Sequence, residues 1–246
     1  MHRHGKILSK YGNLATRQVR AVRASLEGMI ELLPDPVVAL PATPLADAVL
    51  DVVRPVESPS VFNHSVRTYL FARLVAERRA MSGYDDDLLF AACVMHDIGV
   101  APDGPHVERF EVEGAERAAG FLVNQGISTA DADQVWQAIA LHTTSGVAEH
   151  RGPLCVLVRA GVAVDFGGPI GTEHLDAVTD DQAETIHAAY PRLEMVRSLT
   201  DAIVAQAAKN PKNAPVPSTP ADFLRERAAD GETRLERAAR TSRWGN

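Results

Sequence analysis

Apolar residues recur at the helical interval of three to four positions along most of the chain. In the stretch that follows Ser58-Pro59, for example, Val66, Leu70 and Leu74 fall on one helical face. The pattern predicts helices over residues 16–33, from 44, from 59 to about 83, 86–97, 111–124, 128–142, 153–166, 181–189 and 191–208. No segment alternates apolar and polar residues as a half-buried strand does. The predicted fold class is therefore all-α, an irregular helical bundle.

Prolines mark helix starts and the borders between segments. Thr43-Pro44 and Ser58-Pro59 each pair an N-cap residue with proline at the first helical position. Residues 209–219 are rich in proline and poor in apolar residues, which predicts a linker. We expect an N-terminal helix and linker over 1–43, a main helical domain over 44–208, and a linker with a charged helical tail over 209–246. The arginines of that tail recur at every third position and predict a solvated helix face: Arg234, Arg237, Arg240 and Arg243.

Composition narrows the classes of function. The chain has 246 residues, 46% of them hydrophobic, and a net charge of −7. These values predict a sizeable core, and the acidic balance disfavours nucleic acid as a partner. No apolar stretch approaches the roughly 20 residues that span a bilayer, and no signal peptide is evident. Because Cys93 and Cys155 lie in apolar runs as buried thiols, we expect a cytoplasmic protein without a membrane partner.

The pair His96-Asp97 is the strongest indication of chemistry in the residues themselves. It lies within the apolar run 91–100, so both side chains are expected to be partly buried, which is costly unless a partner such as a cation satisfies them. His64, His142 and Asp165 offer the same chemistry from other predicted helices, although a lone histidine is more often a hydrogen-bonded core residue and Asp165 alone could cap a helix or pair with an arginine. Together these residues predict a metal site, and imidazole with carboxylate ligands suits zinc, ferrous iron or manganese and leaves room for water.

The series His64, His96-Asp97 and Asp165 resembles the HD-domain family of helical metalloproteins. Four further stretches are similar to the cyanamide hydratase-like branch of that family: 62–72, 88–99, 109–122 and 139–148. The resemblance spans about residues 44–168. It implies four ligands for one divalent ion, namely His64, His96, Asp97 and Asp165. Zinc is the first choice for that ion, with iron or manganese as alternatives.

Departures from the wider family bear on the number of metal ions and on the substrate. Many phosphohydrolases of the family carry a lysine after His-Asp-Ile-Gly, where this chain has Val100, so a phosphate-bearing substrate is disfavoured. Dinuclear members carry a further histidine where this chain has Phe110, so we expect a single ion. His142 matches a histidine that serves the second metal in dinuclear relatives, and here it would be free to orient water or substrate.

The cyanamide hydratase-like branch adds water to a nitrile-type carbon and converts cyanamide to urea, and this is the reaction that the resemblance implies. Asp97 or His142 would then be the catalytic residue that moves the proton. We expect four substrate-binding residues near the ligands: Asn63, His106, Phe110 and Glu111. Capping or packing explains Asn63 equally well, solvent exposure explains Glu111, and a surface position explains His106.

Three alternatives stay open at this point. The first is a phosphohydrolase that acts on a nucleotide or phosphoester, with Arg67 and Arg109 as the nearby cations. The second is an iron oxygenase, which Phe110 disfavours because such enzymes usually need two irons. The third is a non-catalytic regulatory domain that keeps its metal for structure. The expected partner is a small-molecule substrate, and the tail from residue 220 would pack on the body or on a second copy in a homo-oligomer.

Overall fold

The computed structural model describes residues 36–245. This part of the chain contains ten α-helices, several short 3₁₀ turns and no strand, which confirms the all-α prediction. Residues Leu40–Asn246 form one compact unit. The helix predicted over 16–33 lies outside the described residues. Within the described range, none of the helices combines the length and the hydropathy needed to cross a membrane.

The helices are joined by connections of different lengths, the longest of which are residues 95–109 and 166–179. They are α1 (Pro44–Val53), α2 (Pro59–Arg78), α3 (Asp86–Val94), α4 (Phe110–Asn124), α5 (Thr129–Leu141), α6 (Pro153–Asp165), α7 (Asp180–Ala189), α8 (Met195–Ala207), α9 (Thr219–Asp230) and α10 (Arg234–Ala239). The 3₁₀ turns Ile98–Val100 and Pro211–Asn213 lie in two of the connections.

Side-chain hydrogen bonds fix the helix starts that the sequence predicts. Thr43 Oγ1 accepts a hydrogen bond from the Ala46 amide at 3.2 Å, and Ser58 Oγ accepts one from the Val61 amide at 3.4 Å. In both helices a proline takes the first helical position, where no amide donor is needed. The predicted starts of α1 and α2 are therefore confirmed, because the signals that set them are local.

Helices α2 and α6 form the centre of the bundle and are antiparallel. They approach most closely at Gly161, where an added Cβ would lie 2.2 Å from the Thr68 carbonyl oxygen. One turn away on each helix, His64 Nδ1 lies 2.6 Å from Asp165 Oδ2. Only a residue without a side chain permits this approach, so Gly161 sets the distance at which the two helices present their polar residues.

The pair His96-Asp97 lies in a turn after α3 and not in the last turn of that helix, as predicted. The helix ends at Val94, and the chain passes through the pair into the 3₁₀ turn Ile98–Val100. That turn packs so closely on the start of α4 that a Cβ on Gly99 would lie 1.9 Å from the Phe110 carbonyl oxygen. The prediction missed the bend because the contact that requires it is made with a later helix.

The C-terminal segment, predicted as a linker and a charged tail, packs on the preceding helices. In the predicted linker, Asn213 is fully buried and donates from Nδ2 to the carbonyl oxygens of His106 and Gln206. Phe223 of α9 and Ala239 of α10 join the hydrophobic core. The connection is therefore structured, and α9 and α10 belong to the same compact unit as α1–α8.

Arg243 and Trp244 fix the end of the tail. Trp244 Nε1 donates to the Val164 carbonyl oxygen at 2.6 Å, beside the end of α6. The Arg243 guanidinium donates to two backbone carbonyls and pairs with Asp180 at 2.7 Å. Arg243 is exposed, but it lies beyond the end of α10, and groups from a distant part of the chain bind its side chain.

Candidate metal centre

Three polar side chains converge between α2 and the turn after α3. Their ligand atoms, one from each residue, all lie within 4.8 Å of one another: His64, His96 and Asp97. Asp97 Oδ2 is 3.1 Å from His96 Nε2 and 3.6 Å from His64 Nε2. We call these three residues the His-His-Asp group. Because His64 comes from α2 and the pair follows α3, the packing of the two helices determines the geometry of the group.

The atoms that face one another in the His-His-Asp group have no hydrogen-bond partner. His64 Nε2, His96 Nε2 and Asp97 Oδ2 are buried and unpaired. A buried polar atom left without a partner costs about 1–3 kcal/mol, and more when it is charged. A cation among the three atoms would satisfy all of them at once, and imidazole nitrogens with a carboxylate oxygen are donors that zinc, iron and manganese accept. The group therefore fits a divalent ion.

Hydrogen bonds on the far side of each ring hold the two imidazoles of the group in position. His96 Nδ1 donates to the Cys93 carbonyl oxygen at 2.7 Å, and His64 Nδ1 donates to Asp165 Oδ2 at 2.6 Å. Each ring then keeps the lone pair on Nε2, the atom that faces the group. An acceptor behind a ligating imidazole fixes the orientation and tautomer of the ring at metal sites.

Burial and neighbouring charges shift the pKa values of the His-His-Asp group and of His142. Burial lowers the pKa of His64 and lowers the pKa of His142 to about 4. Burial would raise the pKa of Asp97, but the adjacent His96 outweighs it and holds that pKa below its usual range. Burial would likewise lower the pKa of His96, but the Asp97 charge raises it. Asp97 is thus an anion, and its charge favours a cation beside it.

Asp165, predicted as a fourth ligand, lies behind His64 and outside the His-His-Asp group. Arg67 donates from Nε to Asp165 Oδ1 at 2.7 Å and from Nη2 to Oδ2 at 2.8 Å. Arg192 Nη1 donates to the Asp165 carbonyl oxygen at 2.7 Å. Burial would raise the pKa of Asp165, but the Arg67 guanidinium holds it well below its usual range. The structure does not bring Asp165 into the His-His-Asp group, because its carboxylate is engaged by Arg67 and by the far side of the His64 ring, where it positions His64.

His142, predicted as a catalytic residue, faces the other oxygen of the Asp97 carboxylate. It follows the end of α5, and its Nδ1 donates to the Ile139 carbonyl oxygen at 2.6 Å. Its Nε2 lies 3.7 Å from Asp97 Oδ1, and its ring centroid lies 4.9 Å from that of His96. The buried ring of Phe110 packs 5.7 Å from that of His142. The structure therefore brings His142 and Phe110 to the His-His-Asp group.

The other three residues predicted to bind substrate do not line the cavity beside the group. Asn63 Nδ2 donates at 2.8 Å to a backbone carbonyl in the loop before α8, because it points about 100° around the helix from His64. Glu111 is buried, and its carboxylate accepts from Thr143 and Arg109. His106 lines a different cavity. The structure therefore does not bring these three residues to the cavity, although they are close to the ligands in sequence.

A cavity of about 400 Å³ lies next to the His-His-Asp group. The group and His142 form part of its wall. Apolar side chains form much of the remainder: Val162 of α6 and Phe166 directly after it, Leu199 and Ile203 of α8, Phe223 of α9, and Leu235 of α10. Polar residues that the sequence analysis did not single out also line it, among them Thr143, Arg159, Asp222 and Glu226.

Helical spacing could have identified part of this wall. Arg159, Val162 and Phe166 are three and four positions apart, so one face of α6 lines the cavity. Arg159 is also the one basic residue in an otherwise mostly apolar helix. The contribution of α9 and α10 has no such signal, because no local pattern states that these helices fold back towards the His-His-Asp group.

The two arginines considered for phosphate binding are engaged elsewhere. Arg67 is fully buried against Asp165, and Arg109 pairs with Glu111 at 2.6 Å. Neither lines the cavity. Arg159 does line it, and its guanidinium donates to the Ile170 carbonyl oxygen at 3.1 Å. Arg159 is therefore the buried cation that a phosphate-bearing substrate in this cavity would contact.

Comparison with protein families matches the HD domain to residues 61–207, which is more than half of the chain. The matched range contains the His-His-Asp group, His142 and Asp165, and it ends with the last residue of α8. Helices α9 and α10 follow it. Comparison with curated proteins gives no match. The family match confirms the resemblance at the level of the HD domain and does not extend to the cyanamide hydratase-like branch.

Proposed function

Because the chain belongs to the HD-domain family, we propose that it is a metal-dependent hydrolase or hydratase that acts on a small molecule. HD domains are generally metal-dependent hydrolases and bind divalent ions. The observation that carries the proposal is the His-His-Asp group, whose three unpaired buried atoms face one another beside a cavity of about 400 Å³. An ion kept for structure alone would have no need of an adjoining cavity.

The residues that would hold the ion are those of the His-His-Asp group, through His64 Nε2, His96 Nε2 and Asp97 Oδ2. Zinc is our first choice, with iron or manganese as alternatives. When bound, such an ion supplies Lewis acidity and lowers the pKa of a water molecule towards neutrality. Three protein ligands are the number that catalytic zinc sites use, because one position then stays open.

His142 is placed to receive the proton that the attacking water loses. Its Nδ1 donates to the Ile139 carbonyl, so its Nε2 keeps a lone pair, and that atom lies 3.7 Å from Asp97 Oδ1. Burial lowers the pKa of His142 to about 4, so the ring is neutral near pH 7. A neutral imidazole beside a carboxylate oxygen can orient a water molecule and accept its proton. We assign the catalytic roles to His142 and Asp97 on this basis.

Phe110 supports the use of a single ion. Its fully buried ring packs against His142, at the position where dinuclear relatives carry a histidine. A phenyl ring offers no ligand atom, so a second ion would have fewer donors here. The same ring supplies an apolar surface beside the reacting groups.

The reaction we favour is hydration of a nitrile-type carbon, with cyanamide to urea as the specific candidate. Its support is the likeness of the segments around the ligands to the cyanamide hydratase-like branch. Val100, which is buried, adds to it, because many phosphohydrolases of the family carry a phosphate-binding lysine at that position. Phosphoester hydrolysis is the second candidate, and the observation in its favour is Arg159 in the wall of the cavity.

Metal content and turnover test the proposal together. The purified protein is expected to hold about one divalent ion per chain by elemental analysis. It is expected to release urea from cyanamide, or an amide from a nitrile. Phosphate release from p-nitrophenyl phosphate and from a set of nucleotides is measured alongside. His96→Ala should lose both the ion and the turnover, since it removes one of three ligands.

His150→Ala is the matched control, because His150 is an exposed histidine in the 3₁₀ turn after α5. This variant should keep the ion and the turnover. Phosphate release that depends on His96 would replace hydration by the second candidate. An ion bound at full occupancy without turnover on any of the three substrate classes would overturn the enzymatic proposal in favour of a structural role for the metal.

A further inference from the structure

We propose that the substrate carries a neutral, apolar body and that α9 and α10 bind this body. The inference rests on the proposed function for the reaction at the His-His-Asp group. The binding surface itself is argued from the cavity. The inference adds a substrate class to the proposed function. The residues that would select this class lie in a part of the chain that the family match does not reach.

The wall of the cavity away from the His-His-Asp group is mostly apolar, with a few charged residues that are paired with other groups of the protein. Four of its apolar residues carry the argument. Phe166 and Leu199 lie in the part of the chain that the family match covers, while Phe223 and Leu235 come from α9 and α10. Phe223 is 8% exposed and belongs to the same buried cluster as Phe166 and Leu199. Ligand sites of this kind combine a largely apolar lining with a few polar groups at one place. Here the His-His-Asp group and His142 are those polar groups.

The cavity is larger than a very small polar substrate needs. A volume of about 400 Å³ falls in the range of sites that enclose ligands of drug size. Cyanamide would cover only a small part of the apolar wall and would leave Phe223 and Leu235 without a contact. A nitrile or related electrophile with an aliphatic or aromatic body would cover both. The substrate class is therefore larger and more apolar than cyanamide itself.

The charged residues of the wall already have partners, which favours a neutral ligand. Arg234 pairs with Glu226 through both its side chain and its backbone amide. Asp222 pairs with Arg225 at 2.8 Å. Arg159 donates to a backbone carbonyl at 3.1 Å. A charged body would leave water for a mostly apolar wall whose buried arginine, Arg159, is already engaged, and the burial of an unpaired charge is unfavourable.

A series of n-alkyl hydroxamic acids, from acetohydroxamic to octanohydroxamic acid, tests whether the wall binds an apolar chain. The head group binds a divalent ion, and the alkyl chain reports the surface beyond it. With the zinc-loaded protein, each added methylene should lower the dissociation constant by about fourfold until the cavity is filled. Isothermal titration gives these constants without any turnover.

Two substitutions at one position make the test specific. Phe223→Ala should weaken binding of the octanoyl compound by at least about tenfold and change acetohydroxamate binding by less than about twofold. Phe223→Trp adds bulk to the wall and should shorten the longest chain that still gains affinity. Leu224→Ala is the control, because Leu224 is the next residue of α9, is partly buried and does not line the cavity. It should behave as the parent protein does.

A second measurement separates this inference from the proposed function. Protein without added metal is titrated with N-phenyl-1-naphthylamine, a neutral fluorophore that needs no ion. Binding that Phe223→Trp weakens and Leu224→Ala leaves unchanged would support the apolar wall even if no substrate were turned over. Turnover of cyanamide, with hydroxamate affinity independent of chain length and no fluorophore binding, would overturn the inference and leave the proposed function in place.

Discussion

Gly161→Ala tests whether the contact between α2 and α6 sets both the stability of the bundle and the geometry of the His-His-Asp group. The added Cβ would lie 2.2 Å from the Thr68 carbonyl oxygen, whereas ordinary contacts begin at 3.4 Å. The two helices must therefore separate or shift along each other by about 1 Å, since the obstacle is a backbone atom that cannot rotate away.

The expected magnitude follows from two opposing effects. Overpacking of a well-packed core costs about 3 kcal/mol at the upper end of its usual range. Replacing glycine by alanine inside a helix stabilises the folded state by about 1 kcal/mol. The net loss in the free energy of unfolding is then about 2 kcal/mol, which lowers the midpoint of thermal unfolding by about 4–8 °C in a domain of this size. Metal affinity should fall as well, because the bond between His64 and Asp165 lies one turn from the contact.

Gly120→Ala is the matched control. Gly120 also lies inside a helix, α4, but nothing lies within 4 Å of a Cβ built on it. This variant should gain about 1 kcal/mol, since only the helix preference of alanine acts. Urea denaturation followed by circular dichroism, together with metal titration, measures both effects. If Gly161→Ala were as stable as the parent protein, the close approach of the two helices would not be what positions His64.

Further predictions concern the buried charges, the buried histidine and the thiols. Asp165→Asn should cost about 3–5 kcal/mol in urea denaturation, because it leaves the fully buried guanidinium without its partner. Asp176→Asn breaks a pair whose side chains are 40% and 62% exposed, so it should cost less than about 1 kcal/mol. Burial lowers the pKa of His142 to about 4, so the unfolded state binds a proton at this residue near pH 6.5 while the native state does not until about pH 4. In metal-free protein the stability should fall across that window by about 3 kcal/mol more than in His142→Gln, and an equal fall in both proteins would contradict the assignment. Burial raises the pKa of Cys93 and of Cys155, so Ellman's reagent should modify these thiols only after denaturant is added, and rapid modification of the native protein would show that they are accessible.

The features that the sequence predicts well are those set by neighbouring residues. The starts of α1 and α2 follow from Thr43 and Ser58, because each cap bonds an amide three positions along. The convergence of His64 with His96-Asp97 was also predicted, because these polar residues interrupt apolar helices that must pack together. All-α architecture follows from the helical period of the same apolar residues.

The features that the sequence did not predict depend on contacts between distant segments. Asp165 was expected to bind the metal, but its place in the fold is decided by Arg67 and Arg192, which approach it from α2 and from the loop before α8. His106 is close to the ligands in sequence, yet Glu113 binds its backbone amide and holds the loop so that His106 lines another cavity. Nothing in the local pattern of either residue encodes these partners.

The hydrogen bonds behind the imidazoles have a consequence for how a metal ion would enter and leave. The rings of His64, His96 and His142 are each held through Nδ1 by an acceptor of the protein itself. The rotational entropy of these side chains is therefore lost when the chain folds, and an arriving ion does not bear that cost. A scaffold of this kind should keep its shape through cycles of metal loss and reloading, so that exchange of one metal for another changes the reactivity of the centre and not its architecture.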